Sequence, residues 1–437
     1  MDKQQNELML SQIEMFEKQT GELLEVKDGK PYYKGLLSCV SDELPDNLVV
    51  DGSLMCELDS TKLPKGLKVI EMLDISATKI TEIPDDCEFG SLNISNTKIT
   101  KLRDNLELDA LIACESSLSV LPKGLKVKKM LDISLTNITE IPDDCEFGSL
   151  NISNTKITKL RDNLILKYLN ICYSSLQGLP KGLKVEGLLD ISHTNITKIP
   201  DDCEFDSLNM DNTKITKLRD NLELNCLSIH NTPLENLPKN LIIFTYLAMS
   251  RNHFKTIPND CLVTGVFCNE GFNDERYRLN YFGYYYLKDE IVHINHPSGR
   301  EFLHVDNLLS EVIEKKGNIY RVRNGINLPI TYVVTDGNEH WAHGYTLDEA
   351  KQDLLYKMSL RDKSEYKDLT LDSVLTFDEA VACYRVITGA CKVGTQVFFE
   401  KCLPEPRKEK YTIKEMIELT KNEYGGNEFR EFFENDK

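Results

Sequence analysis

The sequence is poor in the features that mark secreted, membrane-spanning and nucleic-acid-binding chains. Lys and Arg number 52 against 70 Asp and Glu, so the net charge of the 437 residues is −18. An acidic surface repels phosphate backbones, so we do not expect nucleic-acid binding. No stretch approaches the roughly 18 uninterrupted apolar residues of a membrane span. The start, MDKQQNELMLSQIEMFEKQ, lacks a cationic segment followed by an apolar core, so no signal peptide is expected.

These absences predict a soluble protein of the cytoplasm, either of the producing cell or of a host cell into which it is delivered. What the sequence contains instead is an internal repeat. The string LPKGLKV, or a close variant, begins at Leu63, Leu121, Leu179 and Leu237, and each of these leucines opens a new repeat unit. The first three repeat units also contain IPDDCEF and LRDNL, which divide each unit into three coils of nearly equal length. A coil of about 20 residues is typical of a solenoid, because no such repeat buries its apolar face alone.

Aligning the repeat units gives twelve coils. They begin at Leu44, Leu63, Ile83, Leu102, Leu121, Ile141, Leu160, Leu179, Ile199, Leu218, Leu237 and Ile257. Within the second coil, Leu73 and Ile75 alternate with Asp74, which predicts a strand whose leucine points inward and whose aspartate points outward. The equivalent leucines are predicted to be buried in one column. They are Leu73, Leu92, Leu111, Leu131, Leu150, Leu169, Leu189, Leu208 and Leu227.

The coil pattern resembles the leucine-rich repeats of bacterial proteins, specifically the short LPX type whose coils begin with Leu-Pro. The resemblance covers residues 44–272 and implies a leucine-rich-repeat solenoid with parallel strands on a concave face. Such repeats usually carry Asn where the strand turns away, and here Asn stands only at Asn252. The column is otherwise Thr78, Thr97, Ser116, Thr136, Thr155, Ser174, Thr194, Thr213 and Thr232. A threonine column of this kind is similar to that of leucine-rich-repeat proteins of gut bacteria and their phages. A hydroxyl can still satisfy a buried backbone group, with fewer bonds than an amide offers.

Residues 1–43 precede the first coil and are predicted to cap the solenoid. Leu8, Ile13 and Phe16 follow an amphipathic pattern typical of a helix, and PYYKGLLSCV is typical of a first, irregular strand. A cap is expected because a terminal coil otherwise exposes an apolar edge. After the last coil, an aromatic cluster is predicted to dock that coil onto the next domain, with stacking of single-stranded nucleic acid as the alternative. The cluster is Tyr277, Tyr281, Phe282, Tyr284, Tyr285 and Tyr286.

Residues 273–437 contain no repeat and are predicted to form a small α+β domain. A stretch from Ile319 to His343 is typical of strands, with Asp336-Gly337 as the turn between two of them. Three helices are predicted from Thr-x-x-Glu capping boxes that begin at Thr346, Thr376 and Thr412. The segment YVVTDGNEHWAHGYTLDEAKQDL resembles HicB-type antitoxin domains, so a DNA-associated regulator is one alternative function. Residues 341–399 also resemble uncharacterised tails of phage and mobile-element proteins.

The thirteen cysteines do not form a metal or disulfide pattern. Cys87, Cys145, Cys203 and Cys261 recur once in each repeat unit, so neighbours lie three coils apart. At a strand spacing of about 4.8 Å that distance is roughly 14 Å, too long for a disulfide or a shared zinc ion. We expect small apolar core residues with free thiols in a reducing compartment. The same reasoning assigns Cys114 and Cys172 to the core.

No catalytic residue, metal site or cofactor is predicted. His340 and His343 lie three apart in an apparent strand and face opposite ways, so they cannot share a metal. Cys383 and Cys391 fit the apolar side of the helix that begins near Phe377, which favours a core role. The glycine-rich run from Gly389 to Thr395 lacks the lysine of a phosphate-binding loop and does not follow a strand.

Bacterial effectors join LPX repeats to a ubiquitin-ligase domain whose nucleophile lies in a Cys-x-Asp motif. Residues 273–437 contain three cysteines, none followed two places later by Asp. A secreted effector or ligase-like enzyme with activity in this region is therefore an alternative that lacks its motif.

The predicted function is protein–protein interaction through the concave face, with a protein partner, no membrane and no nucleic acid. The outward strand residues are small and polar, so they leave the backbone approachable and offer hydrogen bonds. A solvated face without function is the alternative, because strand faces away from a core are usually polar. Residues near the C-terminal domain break the pattern and are predicted to supply specificity. The candidate partner-binding residues are Asp74, Asn93, Asp132, Asn151, Tyr168, Asn170, Asp190, Asn209, Cys226, Ser228, His230, Tyr246 and Arg251.

Overall fold

The computed structural model describes residues 3–39, 41–250, 254–268, 272–279, 284–288, 293–338, 340–358, 362–390, 392, 395, 396, 398, 403, 407–421 and 423–434. Two compact units divide the chain. The first consists of Met1–Phe205 and Asn209–Ile215, and the second of Asp206–Leu208 and Thr216–Lys437.

The repeats form a solenoid of about twelve stacked coils, each contributing a strand segment that follows the coil's apolar opening residues. In the first compact unit the strands pair in parallel and in register, so Leu73 lies opposite Leu92, which lies opposite Leu111. The nine predicted leucines are all buried, which confirms that part of the prediction. The strands of these coils are β4 (Val49–Asp51), β5 (Leu54–Cys56), β6 (Lys68–Asp74), β7 (Glu88–Asn93), β8 (Glu107–Ile112), β9 (Lys126–Asp132), β10 (Glu146–Asn151), β11 (Ile165–Leu166), β12 (Leu169–Asn170), β13 (Lys184–Asp190) and β14 (Glu204–Asn209).

A helix and three short strands precede the first coil. They are α1 (Lys3–Thr20), β1 (Glu25–Lys27), β2 (Lys30–Lys34) and β3 (Leu37–Cys39). β2 pairs in parallel with β4, and β3 with β5, so this segment continues the sheet of the coils. Ile13 and Phe16 of α1 are buried as predicted, whereas Leu8 is 60% exposed and Met9 takes the buried position instead. The amphipathic pattern therefore predicted the helix but misplaced one residue of its buried face.

The column of threonines and serines is buried from Thr78 to Thr213. Seven of these eight hydroxyls donate to a carbonyl in their own coil, as Thr78 Oγ1 does to Ile75 O at 2.7 Å. Backbone groups make the bonds between coils instead: Ser117 N donates to Thr97 O at 2.9 Å. The hydroxyl thus satisfies a buried backbone acceptor, as expected, within one coil.

The cysteines that recur once in each repeat unit, Cys87, Cys145, Cys203 and Cys261, are buried as predicted. Each Sγ lies near the proline carbonyl that opens the preceding LPxxL coil, for example 3.7 Å from Cys87 to Pro64. Burial raises the pKa of Cys87, Cys145 and Cys261 to about 11. Cys114 and Cys172 are half-exposed, so their assignment to the core was wrong. They follow the inward Ala113 and Ile171 and therefore lie on the outward side of the turn.

In the second compact unit the solenoid continues with β15 (Glu223–Ser228), β16 (Ile242–Ala248) and β17 (Leu262–Phe267), which pair in parallel. Two antiparallel strands, β18 (Tyr277–Leu279) and β19 (Tyr284–Leu287), cover the edge of β17. Tyr277 is buried and its hydroxyl donates to Val263 O at 2.7 Å. The aromatic cluster therefore does pack on the last coil, although Tyr281 and Phe282 lie outside the described residues.

The rest of the second compact unit begins with an antiparallel meander. Its strands are β20 (His293–Asn295), β21 (Glu301–Val305), β22 (Leu308–Lys316), β23 (Ile319–Arg323), β24 (Ile330–Thr335) and β25 (Trp341–Gly344). The predicted turn at Asp336-Gly337 joins the last two, and Gly337 adopts a φ of 86°. β20 to β22 were not predicted. α2 (Leu347–Met358) packs against β24 and β25.

The C-terminal helices are α3 (Phe377–Thr388), α4 (Ile413–Thr420) and α5 (Gly426–Glu434), beside the short antiparallel pair β26 (Val374–Thr376) and β27 (Lys410–Thr412). All three predicted capping boxes are present. Cys383 is buried on α3 as predicted. The helix ends at Thr388 because Gly389 adopts a left-handed φ of 76°, so α3 does not reach position 391. Cys391 lies outside the described residues.

Candidate partner-binding surface

Outward side chains form the Asp/Asn column, made up of Asp74, Asn93, Asp132, Asn151, Asn170, Asp190 and Asn209. They directly follow the buried leucines, so strand alternation points them away from the core. In-register pairing places Asp74 beside Asn93 and Asp132 beside Asn151. All seven residues are half-buried, because neighbours in the column cover one another.

Hydrogen bonds within the solenoid occupy much of this column. Asn93 Nδ2 donates to Asp74 Oδ2 at 3.1 Å, and Asn151 Nδ2 donates to Asp132 Oδ2 at 3.0 Å. The other side-chain oxygen accepts the backbone N–H two residues later, as Asp74 Oδ1 does from Ser76 at 2.9 Å. These Asx turns hold the chain as it leaves the strand. The column therefore has a structural role, and its role in binding a partner stays a prediction.

Next to the Asp/Asn column runs a second one, the turn column, made up of Ala77, Asn96, Glu115, Leu135, Asn154, Tyr173, His193 and Asn212. Every member has a left-handed φ between 53° and 57°. The cause is the turn itself, in which the backbone N–H of seven members, from Ala77 to His193, donates to a carbonyl of the adjacent coil, as Leu135 N does to Ser153 O at 3.0 Å. Sequence patterns did not predict this column, because none of its members is glycine.

In the second compact unit the outward face is aromatic. Pairing aligns Cys226, Tyr246, Gly265 and Tyr286, and beside them Ser228, Ala248, Phe267 and Tyr284. Tyr246 is 41% exposed, and the rings of Phe267 and Tyr284 lie 4.8 Å apart. A Cβ at Gly265 would lie 3.0 Å from Thr245 O and 3.4 Å from the Tyr286 ring, so its tightest contact would be with the backbone of the neighbouring strand. We call these four rings, Tyr246, Phe267, Tyr284 and Tyr286, the aromatic face.

The remaining predicted residues lie in different surroundings. His230 belongs to the edge of the aromatic face, with its ring 6.4 Å from Phe267 and its Nδ1 3.2 Å from Ser228 Oγ. Tyr168 lies in the first compact unit and is half-buried, and its burial raises the pKa of its hydroxyl. Arg251 lies outside the described residues.

Two departures from the repeat pattern are explained by contacts within the second compact unit. Asp206 and Asn225 stand where the preceding repeat unit has Gly148 and Lys167. Asn327 Nδ2 donates to Asp206 Oδ2 at 2.9 Å, and Ile326 N donates to Asn225 Oδ1 at 2.9 Å. Gly325 permits this approach, because a Cβ there would lie 2.6 Å from Asn225 Oδ1. These changes therefore serve the contact between the last coils and the meander.

Aromatic and charged groups strengthen that contact. The rings of Phe244 and Phe302 lie 6.3 Å apart. Arg300 and Arg323 both bond Glu311 within the meander and Glu223 on β15. A half-buried network of this kind orients the meander on the coils more than it adds stability, because desolvation offsets much of the attraction.

One buried cluster contains a serine, a histidine and an aspartate in contact in the same order as in a hydrolase triad. Ser310 Oγ lies 3.0 Å from His343 Nε2, and His343 Nδ1 lies 3.8 Å from Asp306 Oδ2. Lys357 Nζ donates to the other Asp306 oxygen at 2.6 Å. Ser310 is fully buried, so a substrate has no path to its hydroxyl in this structure. We assign the cluster to the core. His340 is half-buried whereas His343 is buried, so the two histidines face different surroundings.

A cavity of about 80 Å³ lies among the C-terminal helices. Its walls are mainly apolar and include Phe377, Tyr384, Met416 and Leu419. The Tyr384 hydroxyl already donates to Tyr424 O at 2.5 Å. Polar lining residues bond within the protein: Asn307 Nδ2 donates to Glu423 Oε2 at 3.1 Å, and Asp306 accepts from Lys357.

Among the described residues, no group of three or more His, Cys, Asp or Glu side chains is placed to hold a metal ion. No helix among the described residues is both long enough and apolar enough to cross a membrane. Comparison with protein-family models, with curated proteins and with solved structures gave no match.

Proposed function

We propose that the chain is a scaffold that binds a protein partner on the outward face of its solenoid strands. The observation that carries the proposal is the aromatic face, in which Tyr246 is 41% exposed. The equivalent outward position holds Met72 and Met130 in the first two repeat units. Exposed tyrosine contributes more to protein interfaces than most residue types, because it buries a large rigid ring and offers a hydroxyl.

We further propose that the coils are leucine-rich repeats of the LPX type. The support is the Leu-Pro or Ile-Pro opening of nine of the twelve coils, the buried leucine of the strands and the parallel pairing of successive coils. Threonine in place of the usual asparagine is the departure, and its hydroxyl bonds its own coil. Curved stacks of such repeats present extended binding surfaces.

The test is affinity capture with the full chain from its native lysate. Tyr246→Ser removes the exposed ring, and Tyr345→Ser is the matched control because Tyr345 is 60% exposed and lies outside the aromatic face. We expect Tyr246→Ser to lose a protein that the unchanged chain and the control both retain.

Two results would contradict the proposal. Equal capture by both variants would place the binding site elsewhere, and capture by residues 273–437 alone would favour an effector role for that region. Recovery of nucleic acid in place of protein would support the DNA-associated alternative.

A further inference from the structure

The turn column carries side chains that its backbone does not favour. Left-handed φ is tolerated by asparagine, which occupies Asn96, Asn154 and Asn212, but costs other residues about 1 kcal/mol or more. Leu135 and Tyr173 adopt the same conformation with 49% and 53% of their surface exposed. Neither backbone preference nor burial accounts for these two residues. Strain of this kind at an exposed position points toward function.

Comparison between the repeat units shows that these same positions vary while their immediate neighbours do not. The first coils of the three repeat units read Ile-Ser-x-Thr, with Ala77, Leu135 and His193 as the variable residue. The third coils of the first two repeat units read Cys-x-Ser, with Glu115 and Tyr173 in the same place. The immediately flanking residues are unchanged between these copies, so the difference there is confined to the exposed left-handed residue.

Four of the variable side chains lie along one line of the solenoid, which we call the ridge: Glu115, Leu135, Tyr173 and His193, with Asn154 between Leu135 and Tyr173. They fall within five successive coils, a length of about 19 Å at the usual strand spacing. The rings of Tyr173 and His193 are stacked, with centroids 4.1 Å apart and planes 14° from parallel. Asn212 Nδ2 lies 3.2 Å from His193 Nε2 and supports the outer end of the stack.

The charged residues of the ridge and of the Asp/Asn column beside it are all acidic. Glu115, Asp132 and Asp190 lie in or beside these coils, and the Asp/Asn and turn columns contain no Lys or Arg. Two residues after the turn column, other coils carry lysine, for example Lys79 and Lys98. The four coils that contribute ridge residues carry neutral residues there instead, Ser117, Asn137, Ser175 and Asn195, whereas the coil of Asn154 between them carries Lys156. The lysine is thus absent from the four coils that contribute Glu115, Leu135, Tyr173 and His193.

We infer that the ridge binds an extended, arginine-bearing segment of the protein partner. A guanidinium stacks on aromatic rings such as Tyr173 and pairs with carboxylates such as Glu115 and Asp190. Leu135 offers an apolar contact between these points. The inference rests on the proposed scaffold function and names the chemistry of the segment that the scaffold recognises.

The experiment measures binding of a labelled peptide of alternating arginine and glycine to the full chain by fluorescence anisotropy at physiological salt. The variant is Tyr173→Asn combined with His193→Asn, which gives the residue already present at Asn154 and Asn212. It leaves the net charge unchanged when histidine is neutral, so general attraction to a cationic peptide is preserved. We expect at least tenfold weaker binding and an unfolding temperature equal to or above that of the unchanged chain.

Controls separate recognition from charge and from stability. A lysine–glycine peptide should bind more weakly than the arginine peptide, because ammonium groups lack the planar stacking surface. Tyr345→Asn should leave binding unchanged. The inference is overturned if the unchanged chain does not bind the arginine peptide, if the double variant binds equally well, or if that variant unfolds at lower temperature. Capture of a partner by a chain that ignores the arginine peptide would retain the scaffold function and reject the ridge.

Discussion

Replacing Asp132 tests whether the Asp/Asn column holds the solenoid together. Its Oδ1 accepts bonds from Ser134 N at 2.9 Å and Ser134 Oγ at 2.6 Å, and its Oδ2 accepts one from Asn151 Nδ2 at 3.0 Å. Asp132→Ala leaves a buried backbone donor without this acceptor, which costs about 1–3 kcal/mol, and removes an inter-coil bond of about 1 kcal/mol. We expect the free energy of unfolding to fall by about 2–4 kcal/mol, measured by urea denaturation followed by circular dichroism.

Asp132→Asn is the matched control, because an amide oxygen can still accept the Ser134 N–H. It should lose less than half as much stability as Asp132→Ala. If the alanine variant were as stable as the asparagine variant, the column would be an ordinary solvated face. The Asx turns would then contribute nothing measurable.

Other expected outcomes concern the core and the helix caps. Leu150→Ala should lower the free energy of unfolding by about 2–5 kcal/mol, because Leu150 is fully buried, and a loss below about 1 kcal/mol would contradict the packed leucine column. Native Cys87 and Cys145 should react with a thiol reagent far more slowly than half-exposed Cys114, while all 13 cysteines should react after denaturation without reductant. Reaction of fewer than all 13 thiols would contradict the prediction that the cysteines are free in a reducing compartment. Thr376→Ala should cost about 1 kcal/mol through loss of the capping box, and restoration by Thr376→Ser would confirm the cause.

The solenoid could be predicted from the sequence because every coil repeats the same constraint. A leucine that recurs at one position in each coil must share one environment, and the inward column from Leu73 to Leu227 confirms it. The capping boxes were predictable for a similar reason, since Thr and Glu three residues apart satisfy each other locally. Both features can be predicted without knowledge of contacts between residues far apart in the sequence.

The turn between β21 and β22 has a sequence signal that the prediction of strands did not use. β21 and β22 are joined by Asp306-Asn307, and both residues adopt left-handed φ, at 55° and 62°. Two such residues between apolar runs are typical of a tight hairpin. This signal could have predicted the strands before Ile319.

The candidate surface was only partly predictable, because its geometry depends on which coils neighbour one another. Strand alternation placed Asp74 and Asn93 outward, but the bond between them follows from the register of two successive coils. The contacts of Asp206 and Asn225 join segments that are far apart in the sequence, which no periodicity encodes. Asp206 and Asn225 are therefore absent from the candidate residues that the repeat pattern supplied.

The most direct test of the scaffold proposal is photocrosslinking from defined positions. A photoreactive phenylalanine analogue replaces Tyr246 in the aromatic face or Tyr345 outside it, in the full chain within native lysate. Binding on the aromatic face predicts a covalent adduct to a discrete protein from position 246 and none from position 345. Adduct formation from position 345 alone would contradict binding on the outward face of the solenoid strands.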